Sequence, residues 1–185
     1  MTELRDYFAY GSNNDEQMHE RIGRVPSKAV GFAQLREHRP AFMGRSVKRY
    51  CGTLTALHTG DPTDVVLGTL YLDLTQDEFA IIDRKEGAAK KDEAGKPAGR
   101  YMRITRTVLI NEGTSDPRQA ELYVMTGNLQ VDREERAPST NYLFNVLEAA
   151  FRMGFPRDYI ERYLIVPTEN VVRHEHMPID DWQPA

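Results

Sequence analysis

A glycine and two small polar residues directly follow an aromatic-apolar run in the stretch Tyr7-Phe8-Ala9-Tyr10-Gly11-Ser12-Asn13. This pattern predicts a buried strand that turns at Gly11 and delivers Ser12 and Asn13 to the start of a helix. Glycine permits backbone dihedrals that other residues avoid, and it lets a ligand approach closely. The unpaired N–H groups at a helix start favour a carboxylate or a developing oxyanion. The same residues are also typical of a plain turn in which Asn13 or Asn14 caps the helix.

Glu86 is the second residue with chemical potential, because it lies where a predicted helix ends. That helix begins at the capping box Thr75-Gln76-Asp77-Glu78 and stops before Gly87. Carbonyl groups at a helix C-terminus disfavour a negative charge, and burial would disfavour it further. A carboxyl group in that position can take and return protons near neutral pH. The alternative is that Glu86 is an exposed surface acid beside Arg84 and Lys85.

Motifs of other catalytic classes are missing from the sequence. No G-x-S-x-G surrounds Ser12 or Ser139, and there is neither a Walker A loop nor a G-x-G-x-x-G. His174-Glu175-His176 offers two imidazoles without an evident third ligand, so we expect a solvated tail and no metal site. The single cysteine, Cys51, opens an apolar strand and is expected to pack there rather than to act as a nucleophile.

Length and composition predict one globular domain over residues 1–185, with 40% hydrophobic and 28% charged residues. The net charge of −4 gives no electrostatic reason to bind nucleic acid. We expect the short basic stretch 45–50 to be a solvated loop. The sequence shows no signal-peptide pattern and no run of about 20 apolar residues. Together with the lone cysteine, these features predict a cytoplasmic protein without a membrane partner.

The order of the predicted elements indicates an α+β domain built on a mainly antiparallel sheet or small barrel. A helix is expected over residues 15–22, ending at Gly23, and residues 40–50 are expected to be irregular. Residues 51–58 and 65–74 are predicted to be strands that pair antiparallel across a short polar loop. The other predicted elements are a strand over 29–35, a hairpin over 101–110 and 120–126, and helices over 139–154 and 157–164.

The predicted helix that Ser139 caps carries the clearest apolar stripe in the chain. Its members repeat at helical spacing: Tyr142, Leu143, Val146, Leu147, Ala150 and Phe151. We expect this stripe to face the core of the domain. The alternative is that it faces a second copy of the chain, which would make the protein a homodimer.

Several short motifs in a fixed order resemble those of the γ-glutamylcyclotransferase family. The resemblance runs from Tyr7 to about Glu169, and the tail over residues 170–185 lies outside it. The motifs are Tyr7 to Asn13, Gly68-Thr69-Leu70-Tyr71, Ile82-Asp83-Arg84-Lys85-Glu86-Gly87, Tyr101, Tyr123-Val124-Met125-Thr126 and Pro138-Ser139-Thr140-Asn141-Tyr142. Each motif is modest alone, but their order makes the resemblance specific.

The resemblance implies a site that binds a small γ-glutamyl substrate without a metal or organic cofactor. Glu86 is implied as the catalytic acid and base. Tyr142 is similar to an aromatic residue that lines the same pocket, and Tyr101 lies in the strand after the catalytic glutamate. The substrate-cradling loop is matched by Tyr10, Gly11, Ser12 and Asn13. The implied fold is a small, mostly antiparallel barrel with helices packed around it.

The implied reaction is the intramolecular cyclisation of a γ-glutamyl amide to 5-oxoproline, with release of an amine or an amino acid. Two alternatives stay open: a biosynthetic enzyme that removes a γ-glutamyl protecting group by the same cyclisation, and a non-catalytic domain that only binds such compounds. The sequence departs from the family pattern at Asn14, where an apolar residue is common, and in an insertion over residues 90–99. We expect this insertion to be either a lid that affects the leaving group or a surface decoration.

Overall fold

Seven strands and four helices make up the described part of the chain, which in the computed structural model covers residues 3–11, 13–44, 51–88, 91, 93–95, 99–110, 116–126 and 136–168. The strands are β1 (Arg5–Ala9), β2 (Ala33–Arg36), β3 (His38–Met43), β4 (Thr53–His58), β5 (Val65–Leu74), β6 (Tyr101–Ile110) and β7 (Asp116–Met125). The helices are α1 (Asp15–Ile22), α2 (Gln76–Glu86), α3 (Thr140–Arg152) and α4 (Arg157–Tyr159), which continues as the π-helical turn Ile160–Leu164. Within these ranges no helix is both long and apolar enough to cross a membrane.

Five strands close a barrel in the order β1-β5-β2-β6-β7. Four of the five contacts around the barrel are antiparallel, and β6 pairs with β7 along ten residues of each strand. The fifth contact closes the barrel, because β7 returns beside β1 in parallel, with Asp6 opposite Ala120. The predicted α+β class and the mostly antiparallel barrel are therefore confirmed.

The predicted pairing of β4 with β5 is wrong. Instead, β4 pairs antiparallel with β3 in a separate two-stranded sheet, while β5 pairs with β1 and β2 in the barrel. The sequence analysis missed β3 because Pro40 falls in its middle, opposite Ala56. Proline lacks a backbone N–H but is tolerated where a strand has an unpaired edge, as in a sheet of two strands.

Most other helix and strand boundaries agree with those predicted from the local sequence. The ranges of α1, β5 and β6 are those predicted, while β2 begins at Ala33 and β7 begins at Asp116. The capping box of α2 is present, with Thr75 Oγ1 accepting from Glu78 N–H and the Glu78 carboxylate accepting from Thr75 N–H. Predictions for residues 45–50 and for the tail after residue 168 lie outside the described residues.

The three largest of the four apolar clusters among the described residues pack the barrel, the two-stranded sheet and the helices together. Phe8, Leu70 and Leu122 belong to the cluster of the barrel strands. A second cluster joins α1 and α2 to the outside of β1, β5 and β7 through Tyr7, Met18, Phe79, Ile82 and Tyr123. The third joins α3 and the following π-helical turn to β3, β4 and β5, and includes Cys51, which is buried as predicted.

The apolar stripe of α3 faces this third cluster, with one exception. Tyr142, Leu143, Val146 and Ala150 are buried and Leu147 packs against them, so the expectation of a core-facing stripe is confirmed for these residues. Phe151 was wrongly assigned to the buried stripe, because its side chain is 64% exposed. Successive residues of a helix are 100° apart, so an apolar stripe identified by its spacing can cover a wider arc of the helix than the arc that packs against the neighbouring elements. Phe151 lies outside the packed arc.

Candidate active site

The turn after β1 leaves open space beside Gly11. Among the described residues other than its chain neighbours, a Cβ placed on this glycine would meet only Leu54 Cδ2, at 4.0 Å. Gly11 does not have the positive φ that favours glycine, so the expectation that it takes dihedrals other residues avoid is wrong. What the glycine supplies is room for a ligand to approach the backbone. Ser12 lies outside the described residues.

The two asparagines after this turn have different tasks. Asn14 is the N-cap of α1, and its Oδ1 accepts a hydrogen bond of 3.0 Å from Gln17 N–H. The polar residue in place of the common apolar one therefore stabilises the helix start. Because Asn14 caps the helix, Asn13 can project elsewhere. Its Nδ2 donates to the Tyr7 hydroxyl at 2.6 Å and to Glu86 Oε1 at 3.3 Å.

Glu86 is the last residue of α2, and its position is fixed by the way that helix ends. Gly87 has a φ of 73°, and Ala88 N–H donates to the Asp83 carbonyl at 2.8 Å, as in a Schellman C-cap. The Glu86 side chain is 15% exposed. The alternative reading of Glu86 as an exposed surface acid is therefore wrong.

Arg21 is the ion-pair partner of Glu86, and the sequence analysis missed it. Its Nη1 lies 2.6 Å from Glu86 Oε1, and its own side chain is 20% exposed. Burial lowers the pKa of the Arg21 guanidinium, but the negative charge and the hydrogen bond of Glu86 outweigh burial, so that pKa is raised. A signal was present, because Arg21 follows the fully buried Met18 by three residues and so lies on the same face of α1.

The buried side chain of Tyr7 lies beneath Asn13 and Glu86. Its side chain is 2% exposed and its ring packs edge-on against Tyr123, with centroids 5.7 Å apart. Burial, and then the negative charge of Glu86, raise the pKa of the Tyr7 hydroxyl well above its ordinary value. The hydroxyl is therefore neutral at physiological pH, and it holds the Asn13 amide in place.

Tyr10 ties the end of β1 to the barrel. Its hydroxyl donates to the backbone carbonyl of Tyr123, and its ring stacks on Phe8 with centroids 6.0 Å apart. Burial raises the pKa of Tyr10 as well. Because the hydroxyl bonds to β7, a substrate in the predicted loop would meet the backbone or the ring of Tyr10 rather than its oxygen.

Tyr101 and Tyr142 meet at Leu54, the residue below Gly11. The Tyr101 hydroxyl donates to the Leu54 carbonyl at 3.1 Å, and the Tyr142 hydroxyl accepts from Leu54 N–H at 3.1 Å. Tyr142 is buried against Phe42, with the rings perpendicular and 6.1 Å apart. The structure thus places both predicted tyrosines beside Leu54, beneath the loop, where their hydrogen bonds position β4.

The positively charged side chain of Arg100 lies beside Tyr101. Its Nη2 donates to Thr53 Oγ1 at 2.6 Å, and its guanidinium carbon lies 5.6 Å from the centre of the Tyr101 ring. Five of the ten residues of the insertion over 90–99 lie outside the described residues, so both expectations for it stay predictions. Within the described ranges no three His, Cys, Asp or Glu side chains are placed to hold a metal ion. His174 and His176 lie outside those ranges.

The arrangement is suited to proton transfer. Glu86 carries a carboxylate that is shielded from water, and Asn13 and Arg21 donate hydrogen bonds to it. The neutral hydroxyl of Tyr7 and the open space at Gly11 lie close to the same loop. A shielded carboxylate beside a space for a ligand can act as a general base and then as a general acid.

Comparisons with known proteins agree with this fold. The sequence profile described as the AIG2-like family matches residues 65–163, just over half of the chain. A solved structure titled gamma-glutamyl cyclotransferase superposes with a TM-score of 0.71 at 25% identity, covering 93% of each chain. An uncharacterised protein from Homo sapiens gives the same values. A yeast gamma-glutamyl cyclotransferase specific to glutathione shares the fold, with a TM-score of 0.53, 12% identity and coverage of 83% of this chain and 90% of the yeast chain. No curated protein matched the sequence.

Proposed function

The chain belongs to the AIG2-like family and has a γ-glutamylcyclotransferase-like fold, and we propose that it is an enzyme of the γ-glutamylcyclotransferase type. Its substrate would be a small γ-glutamyl amide, and its products 5-oxoproline and a free amine or amino acid. The proposed enzyme needs no metal or organic cofactor, because the substrate contains its own nucleophile.

One observation carries this proposal: Glu86 and Asn13, 73 residues apart, come within 3.3 Å of each other. One residue ends a helix and the other follows the glycine turn, and both were assigned to the site from the sequence. Their contact supports a single pocket that combines a carboxylate with a turn able to receive a ligand. If Glu86 were only a surface acid and Asn13 only part of a helix-capping turn, nothing would require their side chains to contact each other.

In the proposed reaction, the α-amine of the γ-glutamyl group attacks its own γ-carbonyl carbon. A C–N bond forms and closes a five-membered ring, while Glu86 takes a proton from the attacking nitrogen. Glu86 then gives that proton to the nitrogen of the leaving group as the original amide bond breaks. Holding the substrate in the folded conformation supplies much of the rate acceleration, because the attack is intramolecular.

The oxygen of the γ-carbonyl gains negative charge during this attack. We assign its stabilisation to the backbone N–H groups of the turn over residues 11–13. Oriented donors of this kind favour a developing oxyanion more than the neutral carbonyl. The space beside Gly11, where Leu54 is the only described residue beyond the chain neighbours that lies within 4.0 Å of a Cβ, supports a substrate at this position.

A positive charge near the pocket favours amino-acid leaving groups. The Arg100 guanidinium lies against Tyr101 and Thr53. The backbone nitrogen of Arg100 lies 3.7 Å from a Cβ placed on Gly87, the residue after Glu86. It would attract the carboxylate of a γ-glutamyl amino acid, which a γ-glutamyl amine lacks. We therefore place γ-glutamyl amino acids ahead of the amine intermediate of a biosynthetic deprotection.

The test is release of 5-oxoproline from a panel of γ-glutamyl amino acids and γ-glutamyl amines. We expect Glu86→Gln to lower kcat/KM by about 100-fold or more, because proton transfer then lacks its base. Glu20→Gln, which removes the same charge from an exposed position on α1, is the matched control and should match wild type. Unchanged turnover by Glu86→Gln would contradict the mechanism. Saturable binding by calorimetry without product from any compound would indicate a binding domain instead.

A further inference from the structure

We propose that Arg21 is the positioning residue of the site: it holds one oxygen of the Glu86 carboxylate and leaves the other oxygen directed to the substrate. The catalytic consequence rests on the proposed function, whereas the effect on the Glu86 carboxyl group itself does not. Arg21 approaches from α1 and Glu86 from the end of α2, so the two helices jointly set the direction of the carboxylate.

The contacts of Glu86 are unequal between its two oxygens. Arg21 Nη1 lies 2.6 Å from Oε1, and Asn13 Nδ2 lies 3.3 Å from the same oxygen. Within the described part of the chain, no contact is recorded to Oε2. An arginine can bind a carboxylate through two parallel hydrogen bonds, which would occupy both oxygens. The one-oxygen contact seen here keeps Oε2 available to accept a proton.

The positive charge of Arg21 also compensates for the unfavourable electrostatic environment of Glu86. Carbonyl groups at the end of α2 oppose a negative charge on Glu86. With side-chain exposures of 15% and 20%, water shields Glu86 and Arg21 only partly from each other. The positive charge of Arg21 therefore offsets the carbonyl groups that surround the Glu86 side chain.

The other groups around the pair cannot replace this charge. The Tyr7 hydroxyl faces Glu86 and is neutral, and Asn13 is uncharged. The Tyr123 hydroxyl, which faces Arg21, is neutral as well, because burial raises its pKa. On α2 itself the neighbouring cations are Arg84 and Lys85, and no contact with the Glu86 carboxylate is recorded for either in the described chain.

A purely structural clamp between α1 and α2 is the competing explanation. Arg24 and Glu78 form such a clamp near the start of α2, with the Arg24 side chain 44% exposed. Arg24→Gln is therefore a matched control, because it removes an arginine–glutamate pair between the same two regions. If Arg21 were only a clamp, Arg21→Gln and Arg24→Gln would both lower stability and leave kcat unchanged.

The experiment measures kcat, KM and the melting temperature of wild type, Arg21→Gln, Arg21→Lys and Arg24→Gln. We expect Arg21→Gln to reduce kcat more than it raises KM, because the carboxylate loses its direction while the turn that receives the substrate is unchanged. Arg21→Lys keeps the positive charge and should recover part of kcat, whereas Arg24→Gln should keep the wild-type kcat and KM. A wild-type kcat in folded Arg21→Gln would overturn the proposal.

A second readout works without turnover and so separates this proposal from the proposed function. The Glu86 carboxyl carbon is observed by carbon-13 NMR of labelled glutamate at a single pH, with Glu86→Gln used to assign the signal. In Arg21→Gln we expect the chemical shift of this carbon to change, because Oε1 loses its hydrogen bond from Arg21, even if no γ-glutamyl compound is cyclised. Arg24→Gln should leave the signal in place. If Arg21→Gln fails to fold, Arg21→Lys is compared instead, because its shorter reach should weaken the pair and give a smaller change. An unchanged signal in the folded variant would refute the role of Arg21.

Discussion

Gly99 lies so close to Gly87 that a Cβ placed on Gly99 would come within 1.6 Å of the Gly87 carbonyl oxygen. After the insertion, the chain therefore comes into direct contact with Gly87, the residue that follows the last residue of α2. Gly99 also accepts a hydrogen bond of 2.8 Å at its carbonyl from Thr126 Oγ1, which ties this contact to the end of β7. The position of Glu86 thus depends on a glycine thirteen residues later in the sequence.

Gly99→Ala should disturb the site through this contact. The added methyl group must displace backbone atoms of Gly87, so we expect a loss of about 1–3 kcal/mol in the free energy of unfolding. Activity toward γ-glutamyl substrates should fall as well, because Glu86 precedes the displaced residue. Urea denaturation and kcat/KM measure the two effects.

Gly95→Ala is the control for this substitution. Gly95 has a φ of +76°, and no described residue beyond its chain neighbours lies within 4 Å of its added Cβ. Its replacement should cost about 1 kcal/mol from backbone strain alone and leave kcat/KM unchanged. Wild-type activity in Gly99→Ala would show that the end of α2 can shift without consequence for the site.

Asn13→Asp should impair catalysis electrostatically. The amide nitrogen that lies 3.3 Å from Glu86 Oε1 becomes a carboxylate oxygen, and two carboxylates at that distance resist simultaneous ionisation. We expect kcat/KM at pH 7 to fall roughly 10-fold to 100-fold.

The matched control for that change is Asn14→Asp. It adds the same charge one residue later and retains a good N-cap for α1. Its kcat/KM and its melting temperature should stay near those of wild type. If the two variants behaved alike, the contact between Asn13 and Glu86 would have no catalytic role.

Arg100→Gln should change substrate preference. Loss of the cation beside Tyr101 should lower kcat/KM for γ-glutamyl amino acids by roughly 10-fold and leave γ-glutamyl amines nearly unaffected. Both substrate classes are compared in the same 5-oxoproline assay. Arg106→Gln, at an exposed position on β6, serves as the control and should not alter the ratio. An equal loss for both classes would mean that Arg100 does not contact the leaving group.

His38 should make folding stability depend on pH. Burial lowers the pKa of His38 below its ordinary value of 6.5, while its Nδ1–H donates to the Arg36 carbonyl at 2.7 Å. Because the unfolded chain binds the proton more tightly, stability is fully present above pH 6.5 and decreases as pH falls from there toward the folded-state pKa.

The measurement is the melting temperature of wild type and His38→Gln between about pH 7.5 and 5, a range that brackets the ordinary histidine pKa. We expect the melting temperature of wild type to fall more steeply with acidification than that of His38→Gln. His19→Gln, at an exposed position on α1, should keep the wild-type slope. Equal slopes in wild type and His38→Gln would assign the acid sensitivity to other groups.

The sequence alone determined the elements whose signals are local. The bounds of α1 and α2 follow from Asn14, Thr75 and the glycines that end both helices, because capping depends on residues within one turn. The strands β5 and β6 were found in the same way from their composition and bounding turns. The sequence also predicted Glu86 and Asn13 as site residues, the first from its place at a helix end and the second from the turn motif.

Only the tertiary structure decided which of these elements meet. The pairing of β4 with β3, the parallel return of β7 to β1 and the exposure of Phe151 depend on neighbours far away in sequence. The partnership of Arg21 with Glu86 is of the same kind, since 65 residues separate them. Capping and periodicity are properties of a short segment, whereas a pairing between segments is set by the free energy of packing the whole chain.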